Sequence, residues 1–369
     1  MPTQALGYLL TPYSSLLTPY KMIRLVKGNE AVVLGAIAAG CDAFFGYPIT
    51  PASEIPQLAA EYFPKLDKVF LQAECETAAI NMVYGAAASG RRVMTSSSGP
   101  GISLKQETVS YLAGAELPSV IVDIMRAGPG LGNIGPEQSD YNQVVKGGGH
   151  GGYHVIVLAP NSVEEMFRLT MRAFELADEY RNPVYLLADA TLGQMMEPIE
   201  IREVPTQIFD KSWKLDATGQ TNTNLITSID LDFATLEIRS KNLVAKYEQI
   251  ANKEAQAESY LTDDAELILT GYGIISRILR SIVDQLRQKG QKVGLIRPKT
   301  LWPFPAAAYQ EAVQRNPNVR FHVVELSAGQ FAEDVKQAVP QSPVELYYRL
   351  GGNLPSEAEL LEGVRKTTS

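Results

Sequence analysis

QAECETAA, Gln72 to Ala79, sets two carboxylates where a β-rich run hands over to a string of small residues. A carboxylate at a helix start interacts favourably with the helix dipole, which accounts for Glu74. Glu76 is followed by side chains too small to shield it, as if another surface packs there. A carboxylate in such a contact has a raised pKa and can share a proton with a ligand nitrogen. Arg126 ends the apolar run SVIVDIMR and opens the glycine-rich RAGPGLGNIGPEQSD. It reads either as a clamp for a small carboxylate or as half of a structural salt bridge. Thr50, in FGYPITPASE, sits where a helix cap belongs, with Pro51 suited to the first helical position. Its hydroxyl would then face the rim where ligands bind. The turn SSSGPG, Ser96 to Gly101, offers N–H groups and hydroxyls to an anion, or is a plain turn.

These residues fall between alternating elements. Helices are expected over Gly28–Gly40 (Asn29 as cap), Pro51–Phe63, Thr77–Ser89 and Ile102–Ala115. Short apolar runs at Ala43–Tyr47, Lys68–Gln72, Arg92–Ser96, Ser119–Met125, Val155–Ala159 and Val184–Asp189 read as strands. Ser162 and Glu165 form a capping-box pattern. This alternation predicts an α/β fold with a doubly wound parallel sheet, whose ligands lie beyond the carboxyl ends of its strands. From Glu197 the text reads as a linker, and Phe233–Tyr260 as a polar connector helix with Leu236, Leu243, Tyr247 and Ile250 on one face. A second, smaller α/β unit follows. The expected division is an N-terminal extension (1–21), a first α/β domain (22–198), a linker and connector helix (199–262) and a C-terminal domain (263–369).

Composition removes several function classes. The chain has 369 residues, 45% of them hydrophobic, and a net charge of −8, which speaks against a general grip on nucleic acid. No apolar stretch is long enough for a membrane span. The first twenty residues repeat LLTPY and lack the basic and apolar regions of a secretory signal, so they read as a loosely ordered extension. Cys41 and Cys75 are the only cysteines, too few for an iron–sulfur cluster or a zinc site on this chain alone. His150, His154 and His322 are scattered. GYG at Gly271–Gly273 lacks the third glycine and the acidic residue of a dinucleotide fingerprint, and reads as a tight turn.

In this order GYPITPASE, AECETAAINMVYGAAASG, SSSGPGISLK and LPSVIVDIMRAGPG resemble the α subunit of the thiamine-diphosphate-dependent 2-oxoacid:ferredoxin oxidoreductases. The likeness covers Met22 to Pro198, and GYG, LWPF and VVELSAGQ extend it less specifically. The resemblance implies a pyrimidine-binding first domain and a second domain like the transketolase C-terminal domain. By position, Glu76 matches the glutamate that contacts the aminopyrimidine ring nitrogen, making it both catalytic and cofactor-binding. Thr50 and Arg126 match the residues that hold the 2-oxoacid. No metal ligand is implied on this chain.

The implied activity is oxidative decarboxylation of a 2-oxoacid to acyl-CoA and carbon dioxide, with electrons passed to ferredoxin. The resemblance places magnesium and diphosphate on a β subunit, and iron–sulfur clusters on γ and ferredoxin-like δ subunits or domains, all cytoplasmic. The branched-chain substrate 3-methyl-2-oxobutanoate is favoured over 2-oxoglutarate, for whose distal carboxylate Lys105 and Lys146 are candidate partners. A thiamine-dependent decarboxylase half without ferredoxin is the other alternative.

Overall fold

The computed structural model describes residues 22–368 apart from 202–206, 208, 217–218 and 220–222; the expected loose extension at 1–21 lies outside the described residues. Strand β1 (Met22–Lys27) runs into α1 (Gly28–Ala38), followed by β2 (Ala43–Gly46), α2 (Glu54–Tyr62) and β3 (Val69–Gln72). The alternation continues through α3 (Glu76–Ala88), β4 (Val93–Ser97), α4 (Pro100–Gly114) and β5 (Ser119–Met125). Beyond the glycine-rich loop come α5 (Tyr141–Val145), β6 (Ile156–Leu158), α6 (Val163–Tyr180), β7 (Pro183–Asp189), α7 (Ala190–Gln194) and β8 (Met196–Ile201).

The long α8 (Phe233–Glu254) leads to β9 (Ala257–Tyr260), β10 (Leu267–Thr270), α9 (Gly273–Gln288), β11 (Val293–Pro298) and β12 (Thr300–Trp302). Last are α10 (Ala306–Arg315), β13 (Arg320–Glu325), α11 (Gln330–Ala338), β14 (Val344–Tyr348) and α12 (Glu357–Thr368).

Seven strands form the first sheet in the order β12-β6-β7-β5-β4-β2-β3, parallel throughout except β12, which runs antiparallel to β6. β4, β5 and β7 are buried at every residue, which is why they read as continuous rather than alternating apolar runs. The chain steps outward from β2 to β3 and then back across β2 to β4. That reversal makes the crevice above β2 and β4 the switch point of the sheet, where ligands of such folds lie.

A second sheet, β14-β13-β10-β11-β9, carries the C-terminal half, with only β9 antiparallel. The two sheets are tied together. Arg297 of β11, 2% exposed, donates to Glu165 of α6 at 2.7 and 2.9 Å. Gln138, fully buried, donates to Tyr272 O at 3.1 Å and accepts from Leu326 N–H at 2.9 Å.

Several local expectations change. Met196–Ile201 is not linker but a strand that pairs antiparallel with β1. The connector helix ends at Glu254, and Ala257–Tyr260 joins the second sheet. Its apolar face is buried only at the C-terminal end, where Tyr247 and Ile250 pack, while Leu236 remains exposed. Asn29 is no cap: Lys27 holds that position, and Asn29 lies inside α1, donating to Pro51 O at 2.9 Å and Glu54 Oε2 at 3.0 Å. Ser162 does cap α6, accepting from Glu165 N–H at 3.1 Å. No helix of the described residues is long and apolar enough to cross a membrane.

Candidate active site

Four adjacent strands, β3, β2, β4 and β5, end on the same rim of the first sheet. Their carboxyl ends deliver Glu76, Thr50, the Ser97–Gly101 turn and Arg126 in that spatial order. The sequence therefore scatters along 77 residues what the topology gathers at one edge.

Glu76 opens α3 behind Cys75, whose sulfur accepts from Ala78 N–H at 3.5 Å. It is 6% exposed, and its carboxylate accepts no hydrogen bond among the described residues. The turn at the start of α4 closes over it. A Cβ at position 101 would stand 2.7 Å from Glu76 Oε1 and 2.1 Å from Ser97 Oγ, so glycine is required for this approach. The hydroxyls of Ser96, Ser97 and Ser98 are buried there without partners. Below lies Lys105, fully buried, its ammonium donating to Thr95 Oγ1 at 3.1 Å and Glu76 O at 3.4 Å. Burial lowers its pKa to about 8, against the opposing pull of the Glu76 charge.

Thr50 is exposed at the switch point and does not cap α2, which begins at Glu54 with Ser53 before it. The chain turns from Thr50 to Ser53, with Pro51 O accepting from Asn29 Nδ2 at 2.9 Å. Arg126 reaches across from β5, Nη1 donating to Thr50 O at 3.0 Å and Nη2 to Leu131 O at 2.9 Å. Among the described residues it has no carboxylate partner, so the salt-bridge alternative does not hold. Neutral carbonyls position its guanidinium and leave its charge uncompensated.

Beside Arg126 opens a cavity of about 820 Å³. Pro100, Ala127, Pro129 and Leu131 line it from the first domain, and Ala328 and Leu350 from the second. Among the described residues that line it, Arg126 is the one cation, and Glu137 and Asp140 are the acids. Thr50 lines a neighbouring hollow of about 480 Å³ with Pro136 and Gln194. A third cavity, at Asp42, Arg91 and Lys214, lies by the amino ends of β2 and β4, away from this rim.

Lys105 lies beneath Glu76, and Lys146 pairs with Asp334 on the second domain, so neither lines the cavity. His150 is exposed, His154 stacks on Trp302 with centroids 4.6 Å apart, and His322 is buried next to Glu345. Asp189 Oδ2 accepts from Ile274 N–H at 3.0 Å, so the helix start after GYG is filled by the chain's own carboxylate. Both cysteines are free, and no group of three or more potential ligands for a metal occurs among the described residues. Sequence reasoning missed Asp123, buried in register with Ser97, and Asp140, which lines the cavity beside Arg126. The one available signal was a lone aspartate inside SVIVDIM.

A two-domain α/β chain with a largely enclosed glutamate, free of donors among the described residues, at the rim beside its switch point fits half of a thiamine site. Residues 34–260 match the family model described as pyruvate flavodoxin/ferredoxin oxidoreductase, thiamine diphosphate-binding, and 265–360 match pyruvate:ferredoxin oxidoreductase core domain II. The chain belongs to this family and is a subunit of a 2-oxoacid:ferredoxin oxidoreductase.

It is 57% identical over 344 residues to the ketoisovalerate oxidoreductase subunit VorB of Methanothermobacter thermautotrophicus, covering 93% of this chain and 97% of that one. It is 36% identical to the 2-oxoglutarate synthase subunit KorA of Methanothermobacter marburgensis, covering 92% and 97%. The solved 2-oxoglutarate:ferredoxin oxidoreductase from Magnetococcus marinus, with 2-oxoglutarate, coenzyme A and succinyl-CoA bound, superposes with a TM-score of 0.85 at 26% identity. That match covers 94% of this chain and 65% of the solved one. A split-gene transketolase at TM-score 0.55 and 11% identity shares the fold.

Proposed function

We propose that this chain is the α subunit of a branched-chain 2-oxoacid:ferredoxin oxidoreductase acting on 3-methyl-2-oxobutanoate, which it helps convert to acyl-CoA and carbon dioxide. The carrying observation is the cavity beside Arg126: a single cation among its described lining residues, and an apolar face from Pro129, Leu131 and Leu350 beside polar ones. A 2-oxoacid brings one carboxylate for Arg126. A branched alkyl group suits Pro129, Leu131 and Leu350, whereas the distal carboxylate of 2-oxoglutarate would meet no second cation and two acids. The identity to the ketoisovalerate relative supports the same choice.

Thiamine diphosphate, when bound, supplies the electron sink for decarboxylation. This chain's own residues bind, orient and move one proton. Glu76 holds or yields a proton at the aminopyrimidine ring nitrogen, which its donor-free carboxylate is built to meet. Arg126 grips the substrate carboxylate, and the Thr50 hydroxyl donates to the 2-oxo oxygen. The diphosphate and magnesium belong to a β subunit, and the iron–sulfur clusters to γ and ferredoxin-like δ subunits or domains that pass electrons to ferredoxin.

The surface beside Glu76 suits such a partner. Edge strand β3 leaves Val69 53% and Leu71 40% exposed, and Leu104 of α4, whose carbonyl accepts from Thr77, is 53% exposed. An unpaired apolar edge of this kind calls for a covering chain.

The test is turnover of the purified complex with 3-methyl-2-oxobutanoate, 2-oxoglutarate, pyruvate and indolepyruvate. The branched substrate should lead in kcat/KM by about 10-fold or more, as expected when a rival charge is buried unpaired. A lead for 2-oxoglutarate would overturn the assignment.

A further inference from the structure

Glu137 stands near the end of the glycine-rich loop, beside Gln138, and is 2% exposed although it belongs to the wall of the cavity next to Arg126. Its carboxylate is shared between the two halves of the chain. Oε2 accepts from Gly128 N–H at 2.6 Å, at the start of the loop. Oε1 accepts from Gly351 N–H at 3.1 Å, in the turn after β14. A carboxylate that takes two N–H groups holds both more firmly than a neutral acceptor would.

Asn133 makes a second tie. Its Nδ2 donates to Gly351 O at 3.1 Å, while its Oδ1 accepts from Gly135 N–H at 2.7 Å. Gly351 is thus held at both its N–H and its carbonyl. Beside these ties the two loops meet backbone to backbone: a Cβ at position 135 would stand 2.7 Å from Gly352 Cα. The frame of the glycine-rich loop carries the hold inward. Asn133 N–H donates to Ala127 O at 3.0 Å, and Ala127 N–H to Gly135 O at 3.0 Å. Leu131 lies inside that frame, and its carbonyl is one of the two that hold the Arg126 guanidinium.

We infer that Glu137 is a positioning residue: it clasps the glycine-rich loop to the turn after β14, and so fixes the aim of Arg126 and the seat of Leu350 in the substrate cavity. Leu350 directly precedes Gly351 and lines that cavity, so slack in the clasp moves its apolar wall as well as its cation. The inference rests on Arg126 gripping the substrate carboxylate. The sign of the effect separates a clasp from a simple electrostatic role. An acid that merely faced the cavity would repel the substrate carboxylate, and its removal would lower KM. Loss of the clasp raises KM, because the grip on the bound 2-oxoacid loosens.

Glu137→Gln leaves one acceptor oxygen for two N–H groups, and Glu137→Leu leaves none. In the assembled complex, KM for 3-methyl-2-oxobutanoate should rise about 10-fold in Glu137→Leu and less in Glu137→Gln, with a smaller change in kcat. Asn133→Ala, at an exposed position, removes the second tie and should move KM in the same direction.

Hydrogen exchange of the same complexes, read by mass spectrometry, supplies the second measurement. Peptides carrying Gly128 and Gly351 should both exchange about 10-fold faster in Glu137→Leu, the loss expected for one charge-assisted bond at each. Should Glu137→Leu fail to assemble, Glu137→Gln and Asn133→Ala carry the same two readouts. Faster exchange at only one of the two loops, or a KM unchanged or lowered, overturns the inference. Exchange that rises at both loops in a complex whose wild type oxidises no 2-oxoacid overturns the functional reading instead.

Discussion

Glu76 is largely enclosed, yet among the described residues nothing donates to its carboxylate. Its oxygens are not among the fully sealed, unpartnered polar atoms of the chain, so they remain reachable from outside. The residue types pointed to it, because the alanines and glycine after it leave the surface thin enough for another chain to approach. Arg126 stayed open between clamp and salt bridge in the sequence, since both need the same residue at a strand end. Only the carbonyls of Thr50 and Leu131 separate the two readings. Asp123 was not legible, because one polar letter in an apolar strand carries no sign that it will be buried without a partner. Glu76→Gln preserves shape and removes the proton exchange. It should cut 2-oxoacid-dependent dye reduction by about 100-fold or more while the subunits still co-elute. Dye reduction close to wild type would take Glu76 out of the chemistry.

At the scale of elements, the strand pattern was readable from periodicity and apolar runs, and β5 has the bounds expected of it. What failed were the ends. Thr50 and Asn29 each look like a cap, but caps depend on which carbonyl is free, and Pro51 O is engaged by Asn29 from another helix. β8 escaped because its partner β1 lies at the far end of the domain in sequence. The turn between β4 and α4 is the element on which the rim depends most. Gly101→Ala would press a methyl group into Ser97 Oγ and Glu76 Oε1. An overpacked change here should cost about 1–3 kcal/mol, read by thermal denaturation, and lower turnover as Glu76 is displaced. Unchanged stability and turnover would show that the turn yields freely.

Across the whole molecule, the two sheets meet through polar groups as well as apolar ones. Gln138, buried, answers the carbonyl of Tyr272 and the N–H of Leu326 at once. Gln138→Leu leaves both backbone groups without a partner and should destabilise the chain by about 2–5 kcal/mol. Scanning calorimetry should show the transition moved to a lower temperature and still single, since β12 and Arg297 go on tying the two sheets together. A single transition at the wild-type temperature would mean that the apolar contacts of Tyr141, Tyr272 and Phe331 suffice.

The strand β12 belongs by sequence to the second half but finishes the first sheet, pairing with β6. During synthesis β6 therefore keeps an open edge until residues 300–302 have emerged, long after β8 is made. An early fragment is exposed to mispairing along that edge. Neither half can be cut away to leave a closed unit: a chain stopped after α8 would lack the strand that seals it, and one begun at β9 would carry that strand with nothing to bind. The interleaving makes the subunit an all-or-none part for assembly, offered to its partners complete or not at all.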